Sequence, residues 1–115
     1  MPDAARRSLL DGGWRRLDFA PFRPGIAAHW IERGGDDAPS LAVLKYEPGA
    51  RAPRHRHRGL ETILMLAGAQ SDENGTYAAG DLAINAAGTE HSVASADGCI
   101  ALLHWALPVL FLDEG

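Results

Sequence analysis

The stretch GARAPRHRHRGLETILMLAG, residues 49–68, decides the fold because it places His55, His57 and Glu61 at metal-ligand spacing between two glycines. Successive side chains of an extended strand point to opposite faces, so His55 and His57 project to the same side, roughly 6.5 Å apart along the chain. The Arg-Gly pair after His57 can turn the chain, and we expect Glu61 to return on the neighbouring strand. The stretch therefore predicts two imidazoles and one carboxylate around one metal ion.

A second stretch, GDLAINAAGTEHSVAS at residues 80–95, is expected to supply the fourth ligand. Its turn residues Gly88 and Thr89 come just before an alternating strand that opens at His91. A histidine at the start of a strand that follows a turn can point into the interior of a small β-barrel. We therefore expect His91 to complete the metal site.

Together the two stretches resemble the paired motifs of the cupin superfamily. The first has a glycine, five residues, His-x-His, three residues, a glutamate, six residues and a glycine, and it fits at every defining position. The second departs twice, with Ala86 where the family usually has proline and Ser95 where it often has asparagine. The resemblance implies an all-β, single-domain RmlC-like cupin, an antiparallel β-barrel or jelly roll, with the metal ligands His55, His57, Glu61 and His91.

The resemblance narrows to the cupin domain of ChrR-type anti-sigma factors and covers nearly the whole chain. It rests on FRPGIAAHWI (22–31), LKYEPGARAPRHRHRGLETILML (44–66), SDENGTYAAGDLAINAAGTEHS (71–92) and ADGC (96–99). In that group the cupin is a zinc-binding sensor module behind a helical domain that grips the sigma factor. About a dozen residues, without His or Cys, precede Trp14. We therefore expect the fold and ligand set to transfer, and neither the anti-sigma activity nor a second zinc site.

Length and composition predict one domain. The chain has 115 residues, 46% of them hydrophobic, which is enough for one core, and we expect an N-terminal extension at 1–12 and a cupin barrel at 13–115. A net charge of −4 makes nucleic acid a poor candidate partner, and no apolar run reaches the length of a signal peptide or membrane span. Because Cys99 is the only cysteine, no intramolecular disulfide can form, and we expect a cytoplasmic protein.

Short alternating segments between clusters of Gly, Pro, Asn and Asp predict an all-β sandwich or barrel. The apolar run Cys99–Leu112 is interrupted by Pro108, so we expect a strand followed by an edge segment, and a helical turn fits only in the first dozen residues. The predicted strands are Trp14–Phe19, Ile26–Glu32, Leu41–Glu47, Glu61–Ala69, Asp81–Asn85, His91–Ser95 and Cys99–Ala106.

Alternation along these strands also predicts the lining of the site. If the four ligands point inward, Ile63, Met65 and Val93 follow them and form the apolar walls of a pocket. By the same count Arg54 and Arg56 face outward, as a solvated or intersubunit surface.

The remaining histidines and the cysteine are assigned lesser roles. His29 has no ligand-spaced partner and is expected to be packed or at the surface. His104, between Leu103 and Trp105, is a candidate for the pocket or for a hydrogen bond to a ligand. Cys99 is expected to be a small buried residue, with a thiol ligand as the minor alternative.

Three functions stay open from the sequence. A closed set of four ligands suits zinc and a sensor or accessory module, whereas iron, manganese or nickel would leave positions for a dicarbonyl-like chelating substrate of a dioxygenase. In the third function, the metal would only stabilise the fold of a small barrel. The apolar end LHWALPVLFLDEG, residues 103–115, predicts a homodimer, and a protein partner or small-molecule ligand is compatible with the first two functions.

Overall fold

The fold is a curled antiparallel sheet in a computed structural model that describes residues 9–10 and 12–112. Over these residues it contains ten strands, one 3-10 turn at Gly13–Arg16 and no α-helix. The strands are β1 (Ala20–Arg23), β2 (Ile26–Glu32), β3 (Ser40–Tyr46), β4 (Ala50–Arg56), β5 (Glu61–Asp72), β6 (Gly75–Ala78), β7 (Leu82–Asn85), β8 (Glu90–Ser95), β9 (Cys99–Trp105) and β10 (Leu110–Phe111).

Two walls form the barrel, and all strand pairs are antiparallel. One wall has the order β1-β2-β3-β9-β5, with β7 on the far side of β5. The opposite wall has β10, β4 and β8, with the end of β5 and β6 beside them. The predicted all-β barrel is confirmed.

Strand β5 belongs to both walls and changes from one to the other near its middle. Its register against β9 shifts between Met65 and Ala67, and the next residue, Gly68, has a φ of +70°. A Cβ built on Gly68 would lie 2.3 Å from the carbonyl oxygen of Gly98. Strands that switch sheets do so at such bulges, and here the backbone leaves room only for glycine.

Most predicted strands are confirmed within a few residues, and the late run is β9 followed, after Pro108, by the short edge strand β10. The strand predicted at Trp14–Phe19 is wrong. A 3-10 turn forms there instead, because Gly12 takes a φ of +78° and its carbonyl accepts the N–H of Arg15. The list of predicted strands also lacked β1, β4 and the four-residue β6, although His55, near the end of β4, was expected on an extended strand; the arginines and Pro53 hide the alternation of β4.

The predicted domain limits fall partly outside the described residues. Residues 1–8 and 11 of the predicted extension and residues 113–115 of the predicted barrel lie beyond them. The first element begins at Gly13. In the described part of the chain, no helix has the length and apolar character that crossing a bilayer requires.

The inner faces of the strands form the core around the predicted ligands. Ile63, Met65 and Val93 are all buried, in keeping with strand alternation. Arg54 and Arg56 face outward, and two guanidinium nitrogens of Arg56 donate to Glu90 Oε2 at 2.9 and 2.7 Å. The outward position predicted for this basic run is confirmed, and such exposed pairs contribute little stability.

Replacing Gly68 by alanine tests the crossing of β5, with Gly49→Ala as a matched control. Both positions have positive φ, but a Cβ at Gly49 would meet nothing within 4 Å. We expect Gly49→Ala to cost about 1–2 kcal/mol of unfolding free energy from backbone strain. Gly68→Ala should lose about 1–3 kcal/mol more because of the added overlap. Equal losses in urea unfolding would contradict the close approach.

Candidate metal centre

Three histidines converge on the inner face of one wall. His55 on β4 is paired directly with His91 on β8, so their side chains point to the same side, with ring centroids 4.6 Å apart. His57 follows the end of β4, where its N–H donates to Thr89 O at 2.8 Å in the turn before β8. Its ring centroid lies 5.2 Å from that of His55 and 4.6 Å from that of His91.

Glu61 reaches these histidines from the opposite wall. The expectation that it returns on a strand next to the histidines is wrong, because β4 pairs with β8 and β10, whereas Glu61 pairs with Asn85 on β7 and Trp105 on β9. Its Oε1 lies 3.0 Å from His57 Nε2 and 3.9 Å from His91 Nε2. The carboxylate thus meets the imidazoles across the interior of the barrel.

All four predicted ligands are brought together and buried. One nitrogen from each histidine can be chosen so that the three lie within 4.8 Å of one another. Glu61 is 2% exposed and His57 1%, so bulk water does not satisfy their polar atoms. Groups in such a place must be satisfied by neighbouring protein atoms, a proton or an ion.

Hydrogen bonds behind the rings determine which nitrogen of each ring faces the centre. Each Nδ1 is within 3.1 Å of an oxygen that, as a carbonyl or carboxylate, only accepts, so Nδ1 carries the proton. A neutral ring then has its lone pair on Nε2. The contacts are His55 with Pro53 O (2.8 Å), His57 with Thr89 O (3.1 Å) and His91 with Asp72 Oδ2 (2.9 Å).

The polar atoms of His57, His91 and Glu61 that face one another need a proton or a cation between them. Within the described residues, the buried Nε2 atoms of His57 and His91 have no hydrogen-bond partner, and each faces a Glu61 oxygen that is also an acceptor. Two acceptors at 3.0 Å repel each other unless a proton or cation lies between them. Ligand atoms on a tetrahedral zinc are about 3.4 Å apart, a value between the two observed separations. The donor set therefore fits a metal ion.

Neighbouring groups keep Glu61 ionised. Burial by itself would raise its pKa, but a hydrogen bond from His57, made when a proton lies between the two groups, and the indole N–H of Trp105, which donates to Oε2, outweigh it and hold the pKa below its ordinary value. Asn85 Nδ2 also donates to Oε1 at 2.9 Å. Across the centre, burial lowers the pKa of His55, although the hydrogen bond to the Pro53 carbonyl acts to raise it. A charged carboxylate and a neutral imidazole are the forms that bind metal.

A small cavity lies beside three of the four predicted ligands, His55, Glu61 and His91. Its volume is about 30 Å³, room for about two water molecules. Of the residues predicted to form the pocket, Ile63 and Val93 line this cavity, whereas Met65 lies buried in the core and is not part of the lining. Tyr46, which burial keeps protonated by raising its pKa, also lines it.

The structure does not place His104 in the pocket. Leu103 and Trp105 point inward on β9, so the side chain between them points outward and is exposed. His29 also lies away from the site, half-buried, with its Nδ1 2.9 Å from Asp18 O. Cys99 is buried outside the histidine cluster, and burial raises the pKa of its thiol.

An outer chamber of about 200 Å³ adjoins the inner cavity. The guanidinium of Arg33, which lines it, lies 4.2 Å from the ring centroid of Trp30, and that of Arg23 lies 3.7 Å from that of Phe111. The chamber therefore combines aromatic surface with cationic groups. Both spaces are lined by Phe22, Arg23, Trp105, Val109 and Phe111.

Four residues that hold the ligands were not predicted as part of the site: Asp72, Asn85, Thr89 and Trp105. Only Thr89 had a sequence signal, as a turn residue before His91. The other three lie 19 to 44 positions from the ligands that they contact, and no local spacing marks them.

Comparison with known proteins gives the family. The model of the ChrR cupin-like domain matches residues 13–107. The chain belongs to the ChrR cupin-like domain family. The anti-sigma-E factor ChrR of Cereibacter sphaeroides is 35% identical over 114 residues, which cover 96% of this chain and 50% of ChrR. This ChrR cupin-like domain thus spans about half the length of that relative.

Solved structures share this fold. A chain in the crystal structure of Rhodobacter sphaeroides SigE in complex with the anti-sigma ChrR matches with a TM-score of 0.70 and 29% identity. The match covers 78% of this chain and 50% of the chain in that structure. An acetylacetone dioxygenase from Acinetobacter johnsonii matches with a TM-score of 0.78 and 15% identity. The match covers 99% of this chain and 80% of the dioxygenase chain. At 15% identity the likeness shows the fold alone, which is that of a cupin.

Proposed function

We propose that this ChrR cupin-like domain is a metal-binding sensor or accessory module that holds zinc through His55, His57, Glu61 and His91. The observation that carries the proposal is the set of buried Nε2 atoms that face one ionised carboxylate while each Nδ1 is held from behind. Four such ligands satisfy a tetrahedral zinc and leave no open position, which suits sensing or structure. Iron, manganese and nickel are the alternatives.

The space around the ligands supports a sensor more than an enzyme. A chelating substrate would have to lie beside the ion, but the adjoining cavity has only about 30 Å³. Zinc held by these residues would supply the positive charge that Glu61 and the Nε2 atoms lack. The chain's own groups orient the ligands, and Ile63 and Val93 make part of the adjoining cavity wall apolar.

The edge strand β10 connects the centre to the surface. The ring of Phe111 lies 5.5 Å from that of His55, and the two residues are paired in register between β10 and β4. The exposed side chains of this segment include Leu110 and Leu112, at 48% and 37% exposure. A shift of His55 on metal loss or ligand oxidation would therefore move an apolar surface that a protein partner can bind. The likeness to an anti-sigma factor supports a protein partner of this kind.

Substitution of the ligands tests the metal site. We expect His57→Ala and His91→Ala to lower metal per chain at least about tenfold, since each removes a direct ligand. His104→Ala is the matched control, because that imidazole is exposed on the outer face of β9. Elemental analysis of protein purified without a nickel column or chelator gives both the occupancy and the element. Full occupancy in His57→Ala and His91→Ala would refute the site.

A metal-dependent dioxygenase for a dicarbonyl-like chelating substrate is the second candidate. The outer chamber supports it, because the chamber has the volume that the inner cavity lacks and carries arginines that suit an anionic ligand. Phe22, Val109 and Phe111 would have to move for a substrate to pass from one space to the other.

Oxygen consumption separates the two functions. With native metal bound and acetylacetone added, a sensor should consume no more oxygen than the same protein after metal removal. Iron or manganese in the purified protein together with sustained oxygen uptake would contradict the sensor and establish the dioxygenase. If metal removal also unfolds the domain, as circular dichroism would show, heat-inactivated protein replaces it as the blank.

We also propose a homodimer in which a second copy covers the exposed leucines of the β10 segment when no other protein partner occupies them. An exposed apolar edge strand of this kind tends to pair. We expect a dimer mass in sedimentation velocity, and dissociation when Leu110 and Leu112 are both replaced by serine. The matched control is the double substitution of Leu82 and Ile84, which are also apolar and even more exposed, at 58% and 63%, but lie on β7. A monomer at high protein concentration would refute the dimer.

A further inference from the structure

We infer that Asp72 is the positioning residue of the metal centre: its carboxylate fixes His91 and supplies a second negative charge behind the bound ion. This inference rests on the proposed metal site and names a residue that the ligand motifs do not contain. Asp72 Oδ2 accepts the Nδ1 proton of His91 at 2.9 Å, and both side chains are 4% exposed.

Asp72 differs from the groups behind the other histidines. The Nδ1 atoms of His55 and His57 donate to backbone carbonyls, which are neutral, whereas His91 donates to a carboxylate. A hydrogen bond to an ionised acceptor is the stronger kind. A carboxylate behind an imidazole also makes its other nitrogen a better donor to a metal. Of the three rings, His91 should therefore depend most on its outer partner.

The hairpin that follows β5 holds this carboxylate in place. Asp72 Oδ1 accepts the N–H of Asn74 at 2.8 Å, and Tyr77 donates its hydroxyl to the same oxygen at 3.5 Å. One residue on, Glu73 Oε1 accepts the N–H of Ser92, next to His91, at 3.0 Å. The turn at 72–75 thus clamps β8, so Asp72 meets His91 in one orientation.

Charge balance is the second reason for a carboxylate here. A divalent cation with three neutral imidazoles and Glu61 leaves a net charge of +1 in a buried place. A buried charge without a counter-charge is costly, and Asp72 brings the sum to zero. Neutral carbonyls behind all three rings would not do so.

Asp72→Asn separates charge from shape, because the amide can still accept from His91. We expect zinc affinity, measured by competition with a chromophoric chelator, to fall about 10- to 100-fold. In the cobalt-substituted protein the visible absorption bands should shift, which a loss of stability alone would not produce. Asp97→Asn is the matched control: it makes the same change at an exposed position outside the metal centre and should leave affinity and bands unchanged.

Two further variants make each outcome decisive. Thr89→Val removes the hydroxyl beside His57 Nδ1 but leaves the carbonyl, so its effect should be smaller than that of Asp72→Asn. If His91→Ala loses the metal while Asp72→Asn keeps wild-type affinity and bands, the role of Asp72 is refuted and the metal site stands. If His91→Ala keeps the metal, the proposed ligand set itself fails.

Discussion

An ionised carboxylate buried beneath three imidazoles is the constraint on which the rest of this barrel depends. Glu61 can stay charged in the interior only if neighbours compensate for lost water, and hydrogen-bond donors on both adjacent strands do so. The amide of Asn85 and the indole of Trp105 donate from the strands on either side, and the imidazoles lie opposite. Asn85, Glu61 and Trp105 form one row across β7, β5 and β9. A slip of one residue would turn these donors to the outer face, so the row requires one register.

In the opposite wall, backbone groups orient two of the histidines that face Glu61. Two of the three rings are oriented by carbonyls, which β4 and the turn before β8 place by their own folding. The proposed ligands are therefore preorganised, and little rotational freedom would be lost if an ion bound. Preorganised ligands without open space around them favour retention of an ion over turnover of a substrate, which is why the small inner cavity matters to the choice between functions.

Much of this architecture follows from local sequence, because alternation and glycine spacing are local. They place the strands, the inward position of Ile63, Met65 and Val93, and the two stretches that carry the four ligands. His104 shows where local pattern is insufficient: in Leu-His-Trp the alternation is clear, but nothing nearby tells which face is inner. That was decided by the pairing of Trp105 with Glu61, 44 positions away. Asp72 could not be predicted either, since it reaches His91 only because β5 crosses between walls at Gly68.

The division of the ligands between two walls also affects how long an ion would stay bound. Glu61 belongs to one wall, and the histidines lie on β4, on β8 and just beyond the end of β4 in the other. An ion held by both could not leave one ligand at a time through an inner space that accommodates about two waters. Its release would require the walls to part, so the residence time of the ion would report how often the barrel opens.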